Sequence, residues 1–290
     1  PVRRLRSTRP ERAPLAEGVV VQDGEAVLAV DARPDRDPVL MLRAAAAAAQ
    51  AGLRLSPYAV ERLANQSAPL PQPWPVAARD ALVSLLGAGR AAIPVWEALD
   101  QADLISRLIP EWKVVRSAPQ RNPVHRFTVD RHLVETAVNA SGLTREVSRP
   151  DLLLVGALLH DIGKGQPGDY TVVGVRIVGE LGPRLGFDEA DSAVLVDLVR
   201  YHLLLPDTAT RRDLEDPVTV ATVAAAVKTP LVLELLDCLT RADAAATGPA
   251  AWSRWKANLI SELVARTRAQ LAGISMPERP ALTEAQRELA

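Results

Sequence analysis

The chain has 290 residues, is 48% apolar and carries a formal net charge of −1 at pH 7. This length and apolar content suit one large domain or two smaller ones. A charge near zero gives no electrostatic reason to expect nucleic acid or an anionic membrane as the main partner. Cys238 is the single cysteine, which argues against disulfides. The sequence has no apolar run of about 20 residues, which argues against a membrane span, and no signal-peptide pattern. We therefore expect a cytoplasmic protein.

The first part of the chain is predicted to be a helical linking region with one β-hairpin. Residues 1–17 are basic and contain proline, which is typical of a linker or of a truncated domain edge. Asp23-Gly24 between two short β-prone runs predicts a hairpin. A proline-rich break covers residues 68–75, and residues 18–115 are expected to form one linking region. The helices predicted in it lie at residues 40–51, 76–86 and 95–108.

The second part of the chain contains all four histidines and is predicted to be a separate helical domain over residues 122–273. Asp188 and the pair Thr229-Pro230 are typical of helix starts. Residues 274–290 contain further prolines and are expected to be a C-terminal linker. The fold class predicted from these patterns is mainly all-α, with a short hairpin near the start.

The pair His160-Asp161 ends a nearly uninterrupted apolar run and is followed by Ile-Gly-Lys-Gly. Two ionisable side chains at the tip of a buried helix are costly unless they are paired or bind a cation. The alternative is a helix end in which Asp161 faces water and His160 is a structural core histidine. The pair alone does not decide between these two interpretations.

Three other helices offer a ligand-type side chain toward their apolar side: His132, His202 and Asp243. A single histidine on an apolar face is usually structural, and an aspartate near a helix end is usually solvated. Ionisable groups that converge in a core, however, usually bind a metal ion or perform acid–base chemistry. Imidazoles and carboxylates without a thiolate favour Mn, Mg, Fe or Co over a structural zinc site.

The order His, His-Asp, Asp on successive helices resembles the HD superfamily of metal-dependent phosphohydrolases, which form a helical bundle. A closer resemblance is to the bacterial PII uridylyltransferase/uridylyl-removing enzymes, and it covers roughly residues 15–272. The segments that carry it are residues 109–112, 125–132, 158–165, 200–205, 208–213, 239–247 and 252–256.

The resemblance implies hydrolytic removal of UMP from a tyrosine of the PII nitrogen-regulatory protein. It also implies a divalent metal ion, with Mg or Mn expected, because that chemistry uses a Lewis acid and an activated water. Which nucleotide is removed, UMP or AMP, stays open. The metal ligands that it implies are His132, His160, Asp161 and Asp243.

Further roles are expected for residues near this ligand set, in which Asp161 counts as catalytic as well. Lys164 is placed to neutralise charge on the phosphoryl oxygens. His202 either protonates the leaving tyrosyl oxygen or holds a second metal ion. Arg211 and Arg212 either contact phosphate or the partner protein, or belong to a solvated charged loop.

Two departures from the family pattern limit these expectations. Family members resemble Gly-Asp-His-Ser after the His-Asp motif, whereas this chain has Tyr170 in place of that histidine. A phenol, with a pKa of about 10, is a poor metal ligand near neutral pH, so we expect a mononuclear site or weak activity. Residues 1–124 contain no Gly-Ser dipeptide, and Asp35-Arg36-Asp37 resembles a helix cap more than a nucleotidyltransferase motif.

The nucleotidyltransferase and C-terminal regulatory domains of the family are therefore expected to be missing, and the chain is expected to carry only the removing activity. Two alternatives remain open at this point. One is an HD phosphohydrolase that acts on free or cyclic nucleotides. The other is a catalytically silent helical module that docks PII.

Overall fold

The computed structural model describes residues 13–120, 122 and 124–274. Three short strands come first: β1 (Ala13–Ala16), β2 (Val19–Gln22) and β3 (Glu25–Leu28). The helices of the linking region are α1 (Leu40–Gln50), α2 (Pro57–Gln66), α3 (Val76–Gly87), α4 (Ala92–Gln101), α5 (Leu104–Leu108) and α6 (Trp112–Val115). Those that follow are α7 (Val129–Ser141), α8 (Pro150–Leu159), α9 (Tyr170–Arg184), α10 (Glu189–Tyr201), α11 (Leu204–Arg211), α12 (Pro217–Val227), α13 (Pro230–Thr247) and α14 (Arg254–Leu271). The mainly all-α fold class is confirmed.

The predicted hairpin is present, but it belongs to a three-stranded antiparallel sheet. β2 and β3 pair from Val19 opposite Leu28 to Gln22 opposite Glu25, and Asp23 and Gly24 turn with φ of 53° and 80°. β1 adds a strand on the free edge of β2. Within residues 1–17, predicted to be a linker or a truncated domain edge, Ala13–Ala16 form this edge strand, and residues 1–12 lie outside the described part. Ala-Pro-Leu-Ala carries little β-propensity, so the open edge of β2 decides its conformation.

The prediction of a single helix over residues 95–108 was wrong, because the structure divides this segment into α4 and α5. Asp103 between them adopts a left-handed backbone with φ of 61°. The Arg116 side chain donates to the Asp100 carbonyl at 2.6 Å and pairs with the Asp103 carboxylate at 3.4 Å. A guanidinium that satisfies a terminal carbonyl stabilises a helix end, and this partner is distant in sequence.

The linking region packs directly against the helices that follow it. α3 contacts both α7 and α8, and one hydrophobic cluster runs from Val19 to Val264. At the end of α9, the Arg184 carbonyl accepts from the Trp74 backbone amide at 2.9 Å. The Arg184 guanidinium binds Glu111 through two hydrogen bonds of 2.9 and 2.6 Å. The predicted boundaries at residues 18–115 and 122–273 remain predictions, since no gap in packing marks them.

α7, α8, α10 and α13 form the centre of the bundle. α7 packs on α8 and α13, while α10 packs on α8, α9 and α13. Every residue from Leu152 to Leu159 in α8 is buried, which explains its uninterrupted apolar run. The ends of α8 and α10 meet the inner faces of α7 and α13, and this arrangement positions the site.

Other expectations concern the cysteine, the membrane and the tail. Cys238 is buried on α13, where burial raises the pKa of its thiol to about 12. Among the described residues, no single helix is both long and apolar enough to cross a membrane, although two pairs of helices, each sharply bent at a short break, reach that length and composition together. The linker predicted at residues 274–290 lies, beyond Ile274, outside the described part.

The Glu111–Arg184 pair should make stability depend on pH. Burial would raise the pKa of Glu111, but the hydrogen bonds from Arg184 outweigh it and hold that pKa below its usual value. A lowered folded-state pKa stabilises the fold above the unfolded-state pKa, and this contribution disappears as the pH falls through the folded-state pKa. We expect Glu111→Gln to lower the free energy of unfolding by about 1–3 kcal/mol at neutral pH.

Urea denaturation at neutral pH and below about pH 4 measures this difference, which should shrink in acid. Glu180→Gln on α9 is the control, because that side chain is 67% exposed. An equal effect of the two substitutions at neutral pH would contradict the assigned role of Glu111.

Candidate metal centre

The structure brings together the ligand-type side chains that the sequence places on four helices. His132 lies in α7, His160 and Asp161 directly follow α8, His202 directly follows α10, and Asp243 lies in α13. His132, His160, Asp161 and His202 are all buried. Positions up to 111 residues apart in sequence thus share one interior site, as the convergence of apolar faces predicts.

His132, His160 and Asp243 form the centre of this site. Each offers one ligand atom, and the three atoms lie within 4.8 Å of one another. His132 Nε2 is 3.1 Å from Asp243 Oδ1 and 3.3 Å from His160 Nε2. The Thr247 hydroxyl donates to Asp243 Oδ1 at 3.2 Å and orients that carboxylate.

Asp161 flanks these three residues on the side of the His-Asp motif. Its Oδ2 lies 3.4 Å from His160 Nε2 and 3.7 Å from His132 Nε2. Lys164 Nζ contacts the same oxygen at 2.5 Å. Oδ1 of Asp161 is buried without a hydrogen-bond partner in the described part of the chain. One carboxylate oxygen is therefore neutralised by an ammonium group, while the other is unsatisfied.

The two carboxylates remain ionised at neutral pH. Burial raises the pKa of Asp161, but His160 and Lys164 outweigh it and lower that pKa well below its usual value. Burial acts in the same direction on Asp243, yet His132 and His160 bring its pKa down to about 2. Both groups are anions that need a positive partner in the interior.

His160 points a lone pair into this anionic site. Its Nδ1 lies 2.9 Å from the Ala157 carbonyl, and a carbonyl only accepts, so Nδ1 carries the proton. In the neutral ring, Nε2 is then an acceptor that faces two carboxylate oxygens. Burial would lower the pKa of His160, but Asp161 and Asp243 raise it, so the site favours a positive charge at that nitrogen.

These acceptor atoms fit a bound divalent cation. The set comprises imidazole and carboxylate groups, which suit Mn, Mg, Fe or Co, and includes no thiolate. The unsatisfied Oδ1 of Asp161 and the lone pair of His160 are atoms that a cation would satisfy. His160 is held in its orientation by a backbone carbonyl, as a metal-binding histidine usually is.

His202 and Tyr170 lie beside the centre. His202 Nδ1 donates to the Val199 carbonyl at 2.7 Å, and Nε2 lies 3.6 Å from Asp161 Oδ1, too far for a hydrogen bond. Burial lowers the pKa of His202. The Tyr170 ring is centred 6.1 Å from that imidazole, and burial raises the pKa of its phenol, so Tyr170 offers no anionic ligand near neutral pH.

Two glycines explain the spacing of the motif that follows His160-Asp161. A Cβ on Gly163 would lie 2.0 Å from the Tyr170 carbonyl oxygen and 2.5 Å from the Gly174 nitrogen. Gly165 has φ of 83°, and its Cβ would lie 3.0 Å from the Val114 carbonyl oxygen. The loop is thereby held between α9 and α6, and Lys164 between the two glycines is directed at Asp161.

Arg211 and Arg212, predicted to contact phosphate or a partner, lie on the surface at the end of α11. Both are exposed, and Arg211 pairs with Asp207 at 3.3 Å in the preceding turn of the helix. Within residues 13–120, 122 and 124–274, no hydrogen bond or ion pair joins either arginine to the ligand-type side chains. Their substrate-binding role remains a prediction.

The structure also places residues at the site to which no chemical role was assigned from the sequence. The His125 ring packs edge-on against His132 at 5.5 Å between centroids, and Gln120 accepts a hydrogen bond from Lys164 at 3.3 Å. Both line a pocket of about 790 Å³ beside the centre. Gln120 and His125 lie between α6 and α7, outside the helices, where hydrophobic periodicity gives no signal. The match of residues 125–132 to the family pattern was the one indication in the sequence for this part of the chain.

Comparison with known proteins identifies the second part of the chain. Residues 129–247 match the family described as "HD domain". A bifunctional uridylyltransferase/uridylyl-removing enzyme of Streptomyces coelicolor is 64% identical over 268 residues, 92% of this chain and 32% of that protein. Enzymes of the same name from Mycobacterium tuberculosis and Corynebacterium glutamicum are 51% and 37% identical, over 93% and 91% of the chain and 34% and 38% of their own lengths. The chain thus spans about a third of the curated relatives it matches.

Binding of a divalent cation should stabilise the protein through Asp243. A cation at about 100 times its Kd would stabilise the fold by roughly 2.7 kcal/mol, which raises the Tm measurably. We expect Mn²⁺ or Mg²⁺ to raise the Tm of the unmodified chain and EDTA to reverse the rise. Asp243→Asn should abolish it, while Asp80→Asn on the exposed face of α3 should not. A cation-induced rise of equal size in Asp243→Asn would contradict the ligand assignment.

Gly163→Ala should destabilise the fold, because its methyl group would overlap the backbone of α9. Overpacking of this kind costs about 1–3 kcal/mol. The matched control is Gly179→Ala, where the nearest atom to the new Cβ is a Val196 methyl at 3.9 Å. That control should be neutral or stabilising, since alanine favours a helix. Chemical denaturation compares them, and equal stabilities would show that the motif glycine is not required for packing.

Proposed function

We propose that this chain, which belongs to the family of bifunctional uridylyltransferase/uridylyl-removing enzymes and carries an HD domain, hydrolytically removes UMP or AMP from the modified PII protein. The observation that carries the proposal is the buried convergence of His132, His160 and Asp243, with Asp161 beside them. These are the ligand types of a metal-dependent phosphohydrolase. The names of the relatives indicate which group is removed, and the geometry of the site supports metal-dependent hydrolysis.

The residues that would hold a divalent ion, with Mg or Mn expected, are His132, His160, Asp161 and Asp243. Such an ion would supply Lewis acidity toward the phosphoryl group and an acidified water. The protein supplies the rest of the environment. Asp161 provides a buried negative charge and Asp243 a half-buried one, and the carbonyl of Ala157 holds His160 with its lone pair toward them.

Lys164 is the residue best placed to act on the phosphoryl group. Its ammonium contacts Asp161 at 2.5 Å and has further donors for a phosphate oxygen. Charge that develops on those oxygens in the transition state would be stabilised by a preorganised cation in a water-poor site. The glycines on both sides of Lys164 restrict the loop and keep this charge in place.

His202 suits a ligand or proton-accepting role better than a proton-donating one. Its Nδ1 proton is engaged by the Val199 carbonyl, so Nε2 presents a lone pair toward Asp161. Protonation of the leaving tyrosyl oxygen would require a cationic ring, and burial lowers the pKa of this histidine. Tyr170 cannot replace an anionic second ligand, which supports a site for one ion.

Arg211 and Arg212 are proposed to contact the protein substrate. Their exposed position at the end of α11 suits a macromolecular surface better than a buried phosphoryl group. Hydrolysis of free or cyclic nucleotides is not favoured, because the relatives are named for uridylyl removal. A silent docking module is not favoured either, because the ligand-type residues converge and Oδ1 of Asp161 has no hydrogen-bond partner among the described residues.

The proposal is tested by measuring nucleotide release from uridylylated and from adenylylated PII protein. We expect release with Mn²⁺ or Mg²⁺ and none with EDTA. Asp161→Asn should reduce the rate by roughly 10²-fold or more, the scale of losing one group that stabilises transition-state charge.

Asp80→Asn on α3 serves as the control, because this carboxylate is 66% exposed and pairs with Arg79. The same experiment decides between UMP and AMP. Metal-dependent cleavage of free nucleotides with neither modified protein as substrate would overturn the proposed substrate class.

A further inference from the structure

A pocket of about 790 Å³ opens beside the metal centre. One wall is the connection between α6 and α7, with Gln120 and His125, and the other is the loop before α9, with Lys164 and Tyr170. Three of these residues also touch the centre. Lys164 binds Asp161, His125 packs on His132, and Tyr170 lies next to His202. A molecule in the pocket would therefore reach the phosphoryl position.

Gln120 lines this pocket with its side-chain amide. Lys164 Nζ lies 3.3 Å from one terminal atom of its amide. An ammonium group only donates, so that atom must be the oxygen, and the other must be the nitrogen. Nε2 of Gln120 is buried and has no hydrogen-bond partner within the described residues. Buried donors are nearly always paired, and among the described residues this one is not, so a ligand in the pocket is a candidate acceptor for it.

His125 adds an acceptor on the same wall. Its Nδ1 lies 3.3 Å from the Asn122 carbonyl, which assigns the proton to Nδ1 and the lone pair to Nε2. The pocket thus combines a donor from Gln120, an acceptor from His125 and the cation of Lys164. Its volume lies in the range of about 300–1,000 Å³ that is usual for small-molecule sites.

We propose that this pocket is the nucleoside subsite of the hydrolase, with Gln120 as the residue that recognises the nucleoside. The inference rests on the proposed function. A 5′-nucleotide places its phosphate next to a ribose with hydroxyl donors and a base with acceptor atoms, which complement His125 and Gln120. The tyrosyl group on the other side of the scissile bond has an apolar ring and no acceptor beyond its bridging oxygen, so it does not complement a buried amide donor.

The test measures the Kd of UMP, AMP and inorganic phosphate for the whole chain by calorimetry, with Mn²⁺ and with EDTA. Gln120→Met keeps the length of the side chain but removes the donor. We expect this substitution to weaken binding of whichever nucleotide binds better by about 3- to 10-fold, relative to binding of inorganic phosphate. This is the effect of losing one neutral hydrogen bond. Gln120→Glu keeps an oxygen for Lys164 and adds a negative charge, so the loss should be larger.

Gln101→Met is the matched control, because Gln101 is an exposed glutamine at the end of α4 outside this pocket. Thermal unfolding of each variant verifies that it is folded at the assay temperature. If Gln120→Met lowers the affinity for inorganic phosphate and for nucleotide by the same factor, or lowers neither, the assignment of the pocket as a nucleoside subsite is wrong. This holds even when the chain releases nucleotide from modified PII. If Gln120 affects nucleotide binding selectively but no nucleotide leaves modified PII, the subsite stands and the proposed function fails.

Discussion

The structure depends on the neutralisation of a group of acceptor atoms buried where α7, α8 and α13 meet. Two carboxylates and the lone pair of His160 face one another at distances of 3.4–3.7 Å, with Lys164 as the cation in contact. Such a group is unfavourable in a protein interior unless a cation completes it. The apolar helices therefore enclose a group of acceptor atoms that favours a cation, where an ordinary core would be entirely apolar.

The loop after α8 connects this buried site to the packing of the surrounding helices. Gly163 allows its backbone to approach α9 and Gly165 allows it to approach α6, closer than any other residue would permit. α9 is fixed in turn at its far end, where Arg184 is held by Glu111 and Trp74. The position of Lys164 therefore depends on the packing of two regions that are well separated in sequence.

The segment between the linking region and α7 contributes to the site. Gln120 and His125 precede α7 and form one wall of the pocket, while the His-Asp loop forms the other. The hydrophobic cluster is continuous across the two predicted regions. The position of the site therefore depends on packing between these two parts of the chain.

The sequence by itself determined the helical fold and several helix starts, and through the family resemblance it predicted the ligand set of His132, His160, Asp161 and Asp243. Apolar periodicity and capping residues are local signals, and the spacing of the motifs is specific in combination. Only the tertiary structure decided the third strand at Ala13–Ala16, the break at Asp103 and the exposed surroundings of Arg211. It also decided the orientation of His202 and the pairing of Gln120 with Lys164. These features depend on an open strand edge, on distant partners such as Arg116, and on which ring nitrogen a carbonyl engages, and none of these is encoded in local residue patterns.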